Sequence, residues 1–171
     1  MDSKIVAIDF FCGVGGLTHG LIKAGIPVKA GIDMDTSCKY AYERNNGAVF
    51  IHKNIKEFDD KELDSLFPEA AIKILVGCAP CQPFSKHTHK NRQRGEDDEW
   101  GLLYHFLRLI EKTKPTIVSM ENVPEIAKHD VFHDFTRGLE SLGYHVFWKP
   151  VFCPDYGIPQ NRTRLVLLAS R

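Results

Sequence analysis

The sequence predicts an α/β fold: a mostly parallel sheet with helices on both faces and an antiparallel strand pair near the end. Short apolar runs alternate with helix-patterned segments along the chain, the pattern of a parallel sheet with crossover helices. The composition suits one globular domain, with 171 residues, 43% of them hydrophobic and 26% charged, enough to build a core. Two strand-like runs close the chain as a pair.

Ile5-Val6-Ala7-Ile8-Asp9-Phe10 is an apolar run that ends in a glycine-rich turn. Leu17–Ala24 has helical spacing, and Gly25 fits its stop. Val28–Ile32 reads as the second strand and ends at Asp33. Asp35 or Thr36 can cap the next helix, which runs to about Asn45. A weak strand near Ala48–Ile51 and a short helix near Lys61–Phe67 follow. Ile72–Val76 is a buried-type strand. The stretch from Lys86 to Glu99 is polar and shows no apolar periodicity. Leu102, Phe106, Leu109 and Ile110 then make one helix face. Thr116–Met120 is a strand, with a helix after it to about Leu142. Tyr144–Phe152 and Arg164–Ala169 are the closing pair. No repeat, linker or low-complexity segment divides the chain, so residues 1–171 form one region.

Composition also narrows the function classes. The chain has five cysteines, an odd number, which argues against a disulfide framework and for reduced thiols. No apolar run reaches the roughly 20 residues of a membrane helix, and the N-terminus lacks the apolar core of a signal peptide. The expected location is cytoplasmic or DNA-associated, with no membrane partner. Formal net charge is zero, whereas a free-standing nucleic-acid binder usually carries a basic excess. Any grip on nucleic acid must come from a local patch or from a part outside this chain.

Ligands of such sheets bind beyond the carboxyl ends of the strands, and five segments fall there or beside them. In Asp9-Phe10-Phe11-Cys12-Gly13-Val14-Gly15-Gly16 the glycines let a ligand approach the backbone. Asp33, one strand on, can hold ribose hydroxyls, a layout that suits an adenosine-containing cofactor. The nicotinamide fingerprint wants a third glycine or alanine where Thr18 stands. The plain alternative is a tight strand-to-helix turn.

Gly77-Cys78-Ala79-Pro80-Cys81-Gln82-Pro83-Phe84-Ser85 contains a Cys-x-x-Cys. A zinc site would need a second ligand pair, which is absent. A thioredoxin-like pair would need a helix at the first cysteine, which Pro83 and the polar run oppose. A single nucleophile, Cys81, in a proline-rich loop is the third reading, and an inert buried thiol the fourth.

Glu121-Asn122-Val123 follows a strand and presents a carboxylate at the same edge as Cys81. It can act as a general acid or bond a base ring, or it can merely favour a helix start at Pro124. Arg162 and Arg164, at i and i+2, can pair with Glu121 or a phosphate, or simply keep an exposed strand soluble. Lys86, His87, His89, Lys90, Arg92 and Arg94 form a basic loop suited to phosphates, or a solvated surface. Nothing completes a metal site around the histidines, and no metal is expected.

Together these segments resemble the cytosine-5 DNA methyltransferase family. The resemblance rests on Phe11-Cys12-Gly13-Val14-Gly15-Gly16, Pro80-Cys81-Gln82-Pro83-Phe84-Ser85, Glu121-Asn122-Val123 and Gln160-x-Arg162-x-Arg164, in the family's order and at compatible spacings. It implies a Rossmann-like S-adenosylmethionine-dependent methyltransferase fold. It also implies methyl transfer to carbon 5 of a cytosine flipped out of double-stranded DNA, as in restriction-modification systems, with S-adenosylhomocysteine as product.

The implied catalytic residues are Cys81, which adds to carbon 6, Glu121, which bonds the base, and Arg164 with Arg162 in support. The implied cofactor residues are Phe11, Gly13, Gly15, Gly16, Leu17, Asp33, Met34, Asn54, Ile55, Pro80 and Leu102. Asn54 stands where many members carry an Asp that bonds the adenine amino group, and its amide oxygen can still accept that bond. Ser85, Lys86, Lys90, Arg92 and Arg94 are the implied DNA contacts.

The family's target-recognition region and two later motifs have no counterpart in this sequence. The expectation is therefore a piece of a longer protein, with one subunit of a split enzyme as the alternative, and weak or no methylation by this chain alone. A transfer-RNA methylating branch of the same family, a Cys78/Cys81 thiol-disulfide oxidoreductase, a non-catalytic cofactor-binding module and a dinucleotide-binding protein are the rival functions.

Overall fold

A computed structural model describes residues 5–67, 72–80 and 96–171, with only the backbone of residues 96–100. Among the described residues the seven strands are β1 (Ile5–Phe10), β2 (Val28–Asp33), β3 (Val49–His52), β4 (Ile72–Gly77), β5 (Ile117–Asn122), β6 (His145–Phe152) and β7 (Thr163–Ser170). They form one sheet in the order β3-β2-β1-β4-β5-β7-β6. The first five strands are parallel to one another. β7 runs antiparallel to both β5 and β6.

Among the described residues the α-helices are α1 (Gly16–Lys23), α2 (Lys39–Asn46), α3 (Asp60–Ser65), α4 (Glu96–Thr113) and α5 (Asp130–Ser141). Both faces of the sheet carry helices, as the alternating pattern predicts. On one face α3, α4 and α5 close the main core, in which Ile8, Phe10, Leu75, Phe106, Val118, Phe132 and Leu167 are fully buried. On the other, smaller clusters form around Ala7, Ile74 and Val76 and around Tyr42 and Phe50. Among the described residues, α1 and α2 are the helices of that second face, and they contact β2 and β3. The β5-β7-β6 part of it is barer. Phe147 and Leu168, direct cross-strand partners, are 61% and 50% exposed.

Two elements depart from the sequence expectation, and a third observation removes an alternative. Glu121 and Asn122 belong to β5 itself, paired with Val166 and Leu165 of β7, because the antiparallel neighbour extends the ladder past Met120. α4 begins at Glu96, within the stretch that lacks apolar periodicity; an acidic opening run suits the positive end of a helix. The strand bearing Arg164 is no outer strand, since β7 is inserted between β5 and β6. The strand order reverses between β1 and β4, and a crevice opens at the carboxyl ends there.

Candidate active site

The glycine turn after β1 is built by main-chain geometry. Phe11, Gly13 and Gly15 all have positive φ, at 57°, 50° and 89°. A non-glycine residue rarely sits there, so Phe11 stores local strain of the kind found at binding sites. At Gly15 a side chain is excluded twice over. An added Cβ would lie 2.3 Å from Asn46 Nδ2 and 2.8 Å from Tyr42 Cδ2.

Asp33 at the end of β2 fastens this turn. Its Oδ2 accepts the Gly13 N–H at 2.8 Å and its Oδ1 the Asp35 N–H at 2.9 Å. Each oxygen keeps a second lone pair for a ligand hydroxyl. Thr18, at the position that breaks the nicotinamide fingerprint, is fully buried. Its hydroxyl donates to Asp9 Oδ2 at 2.7 Å and lies 3.1 Å from the Tyr42 hydroxyl. Burial pushes the Asp9 carboxyl up to about 7, against the hydrogen bond from Thr18.

A cleft opens beside the turn. It is lined by seven of the predicted cofactor residues: Phe11, Asp33, Met34, Asn54, Ile55, Pro80 and Leu102. Gly13, Gly15 and Gly16 shape the turn instead, while Leu17 packs with the Ala7–Val76 cluster. Two aromatic residues of the lining are braced by core rings, Phe10 edge-on to Phe58 at 5.4 Å and Phe11 edge-on to Phe106 at 6.4 Å. Asn54 Oδ1 accepts the Lys56 N–H at 3.0 Å. One lone pair of that oxygen is thus already used in a turn cap.

Sequence reasoning missed two supports. Lys53 also lines the cleft, while its ammonium pairs with Glu62. Arg108 of α4 donates to the Phe58 and Ile55 carbonyls at 3.0 and 3.3 Å, pinning the 55–58 turn. Neither had a signal beyond its charge.

The second half of the edge is built from side chains. Arg164 Nε lies 2.9 Å from Glu121 Oε1 across the β5–β7 ladder, the partnership expected from the sequence. Both are about a quarter to a third exposed, at 23% for Arg164 and 32% for Glu121. Arg162 precedes β7 and is exposed; its main chain bonds Cys153 and Gln160. Asn122 is buried, and its Nδ2 donates to the Ala79 carbonyl at 3.1 Å. This bond ties the loop after β4 to the end of β5.

Cys78 sits at the root of that loop. Burial pushes its thiol far up, and the charge of the neighbouring Glu121 carboxylate pushes it further. A thiol held protonated is a poor nucleophile, which weighs against disulfide chemistry at Cys78. Cys81, Ser85, Lys86, Lys90, Arg92 and Arg94 lie outside the described residues. Among the described residues no group of three His, Cys, Asp or Glu side chains is placed to hold a metal ion. Nor is any described helix long and apolar enough to cross a membrane.

With this geometry in place, comparison with known proteins is decisive. The family model for C-5 cytosine-specific DNA methylases matches residues 5–171. The chain belongs to that family. It is 58% identical to the Type II methylase M.HgiDII of Herpetosiphon aurantiacus, over 96% of this chain and 46% of that protein. It is 30% identical to the Type II methyltransferase M.XorII of Xanthomonas oryzae, over 99% of this chain and 41% of that one.

Solved structures agree on the fold. A protein described as a DNA modification methyltransferase from an E. coli prophage superposes with a TM-score of 0.81 at 24% identity, covering 98% of this chain and 47% of the other. The Dnmt2 methyltransferase of S. pombe gives 0.79 at 20% identity, covering 97% and 49%. The Rossmann-like methyltransferase fold expected from the motifs is thereby established. The chain spans about half the length of these methylase relatives.

Proposed function

We propose that this methylase chain is the cofactor-binding and catalytic region of an enzyme that transfers a methyl group from S-adenosylmethionine to carbon 5 of cytosine in DNA. Target recognition then falls to the part of the relatives' length that it does not span. The observation that carries the proposal is the Glu121–Arg164 pair, set next to Cys78 of the cleft lining, three residues before Cys81 in the sequence.

The cleft fits an adenosine-bearing ligand. Apolar and aromatic walls from Phe11, Met34, Ile55, Pro80 and Leu102 suit a purine. The Asp33 oxygens keep lone pairs for ribose hydroxyls. S-adenosylmethionine, when bound, supplies an electrophilic methyl group.

The protein's task is to make carbon 5 of cytosine nucleophilic. The Cys81 thiolate, its proton lost to solvent, adds to carbon 6 of a flipped base. A sulfur–carbon bond forms, and the electron pair of the 5,6 double bond moves toward carbon 5. Glu121, carrying a proton taken from solvent, donates it to ring nitrogen 3 as negative charge develops there, accepts from the amino group, and takes the proton back when the ring is restored. Arg164 fixes the Glu121 oxygen nearest to it and leaves the other for the base. Carbon 5 takes the methyl group with that electron pair. Loss of the carbon 5 proton to solvent and expulsion of Cys81 restore the ring.

The test is methyl transfer by the full-length protein from labelled S-adenosylmethionine to unmethylated duplex DNA and, in parallel, to transfer RNA. Duplex DNA containing 5-fluorocytosine should trap a denaturation-resistant adduct, because the fluorine cannot leave as a proton does. Cys81→Ser should form none. Transfer to RNA alone, or an adduct that survives Cys81→Ser, would overturn the proposal.

A further inference from the structure

One wall of the cleft is a short turn whose orientation is set from outside it. Lys53, Asn54 and Ile55 line the cleft directly after β3. Asn54 caps a 3₁₀ turn, Ile55–Glu57, closed by the Phe58 N–H on the Ile55 carbonyl at 3.3 Å. So short a turn makes few hydrogen bonds and has little stability of its own. Ile55 and Phe58 enter the main core. Apolar burial is non-directional, so it fixes the depth of the turn but not the direction of its peptide groups. That direction comes from α4. Arg108 Nη2 donates to the Phe58 carbonyl at 3.0 Å and to the Ile55 carbonyl at 3.3 Å. The Phe58 carbonyl lies just past the turn, where a cationic side chain complements open acceptors. The Ile55 carbonyl uses its second lone pair. The same helix supplies Leu102 to the cleft lining, about 9 Å along its axis from Arg108.

From these bonds we infer that Arg108 is a positioning residue for cofactor binding: by holding the Ile55 and Phe58 carbonyls it fixes the turn that presents Asn54 and Ile55 to the cleft. The inference rests on the proposed function, in which this cleft takes S-adenosylmethionine. Among the described residues Arg108 is not one of those that line the cleft, so it acts through the turn. A preformed wall spares the ligand the entropy of ordering it, and the difference appears as affinity. Glu121 stands on β5, away from this turn, so the effect falls on binding and not on rate. An arginine suits the task. Its guanidinium is planar with fixed donor directions, whereas a lysine offers a point charge on a flexible stem.

The experiment is calorimetric titration of the full-length protein with S-adenosylhomocysteine, paired with hydrogen exchange and steady-state methyl transfer to DNA. Arg108→Met keeps the apolar stem and removes the donors. It should weaken binding about tenfold, the size of one hydrogen bond from a charged group, and raise KM for S-adenosylmethionine in step. At saturating cofactor kcat should change by less than about twofold. Exchange over residues 56–58 should speed up in the free variant and slow again when S-adenosylhomocysteine binds. Arg108→Lys keeps a cation that can reach one carbonyl and should limit the loss to about threefold. In an Asn54→Ala background Arg108→Met should cost less than about threefold further, because one side chain that the turn presents is gone. Tyr144→Phe is the control for general destabilisation. It removes a hydroxyl bond to the Pro115 carbonyl at the opposite edge of the sheet and should leave affinity unchanged.

Four results would overturn the inference: parent-like affinity in Arg108→Met, an equal loss in both Asn54 backgrounds, a fall in kcat at unchanged KM, or the same affinity loss in Tyr144→Phe. Should Arg108→Met not fold, Arg108→Lys carries the test, and parent-like affinity there overturns the inference. If the parent protein binds no S-adenosylhomocysteine, the functional reading falls and takes the inference with it. If the parent binds it and the Arg108 variants bind it equally well, only the inference falls.

Discussion

The carboxyl edge of the sheet is built in two ways. At the ends of β1, β2 and β3 the main chain does the organising. Positive-φ residues shape the turn, and the Asp33 carboxylate and Asn54 amide oxygen are partly occupied by backbone N–H groups. At the ends of β4, β5 and β7, side chains organise one another: Arg164 with Glu121, and Asn122 with the Ala79 carbonyl. Substitutions in the first half should therefore disturb folding and binding together. In the second half they should disturb rate while the fold stands.

The largest expected effect lies in the second half. Glu121→Gln should lower kcat about 10²- to 10³-fold, as losing a group aimed at developing charge does. Cofactor affinity and melting temperature should stay near those of the parent. A melting temperature that falls in step with the rate would erase the contrast between the halves.

Asp33→Ala comes next. It should weaken S-adenosylhomocysteine binding about 10- to 100-fold, the worth of hydrogen bonds to a charged group. It should also lower stability, because Gly13 and Asp35 lose their acceptor. Calorimetry and thermal melts on one sample check both. A binding loss without any loss of stability would show that Asp33 is less embedded than its hydrogen bonds indicate.

Gly15→Ala should cost stability by about 1–3 kcal/mol. The 89° φ and the Asn46 and Tyr42 contacts both oppose a Cβ. Chemical denaturation reads it, and an unchanged midpoint would mean that α2 gives way freely.

The smallest effect concerns pH. The Asp9 carboxyl is raised from 3.8 to about 7. Below pH 3.8 both folded and unfolded forms are protonated and Asp9 adds no pH dependence. Between pH 3.8 and 7 the unfolded chain gives up the proton first, so stability declines as pH rises. Above 7 the penalty is complete. Asp9→Asn should flatten that decline and raise the melting temperature at pH 8 by a few degrees relative to the parent. Parallel melting curves from pH 5 to 8 would reject the assignment.

Much of the fold was legible because its signals are local. The Ile5–Phe10 run, the Gly25 stop and the Asp35 cap depend on a few adjacent residues, and the structure reproduces them. Non-local order was less legible. Nothing within residues 163–170 says that this strand enters between β5 and β6, and that insertion carries β5 on through Glu121 and Asn122. The site divides likewise. The Glu121–Arg164 pairing could be foreseen because opposite charges at one edge attract. The Arg108 bonds to the carbonyls of residues 55 and 58 span some fifty residues, a distance no local pattern crosses. Thr18 was legible only as a departure from a dinucleotide fingerprint. Its bond to Asp9 supplies the reason, because a hydroxyl replaces the close helix–strand contact that a third glycine would allow.

Among the described residues β6 is outermost in the sheet, which matters for handling the protein. β6 hydrogen-bonds to β7 on one side, and Phe147, Trp148 and Phe152 are all exposed along it. An open strand rim of this kind can recruit a second copy by main-chain pairing and begin intermolecular self-assembly. Pro150, near the middle of the strand, offers no N–H, and Lys149 beside it brings a charge. Both are gatekeepers of the sort that interrupt such pairing. Replacing Pro150 with valine would lift that barrier and convert a tolerated rim into a nucleus for aggregates.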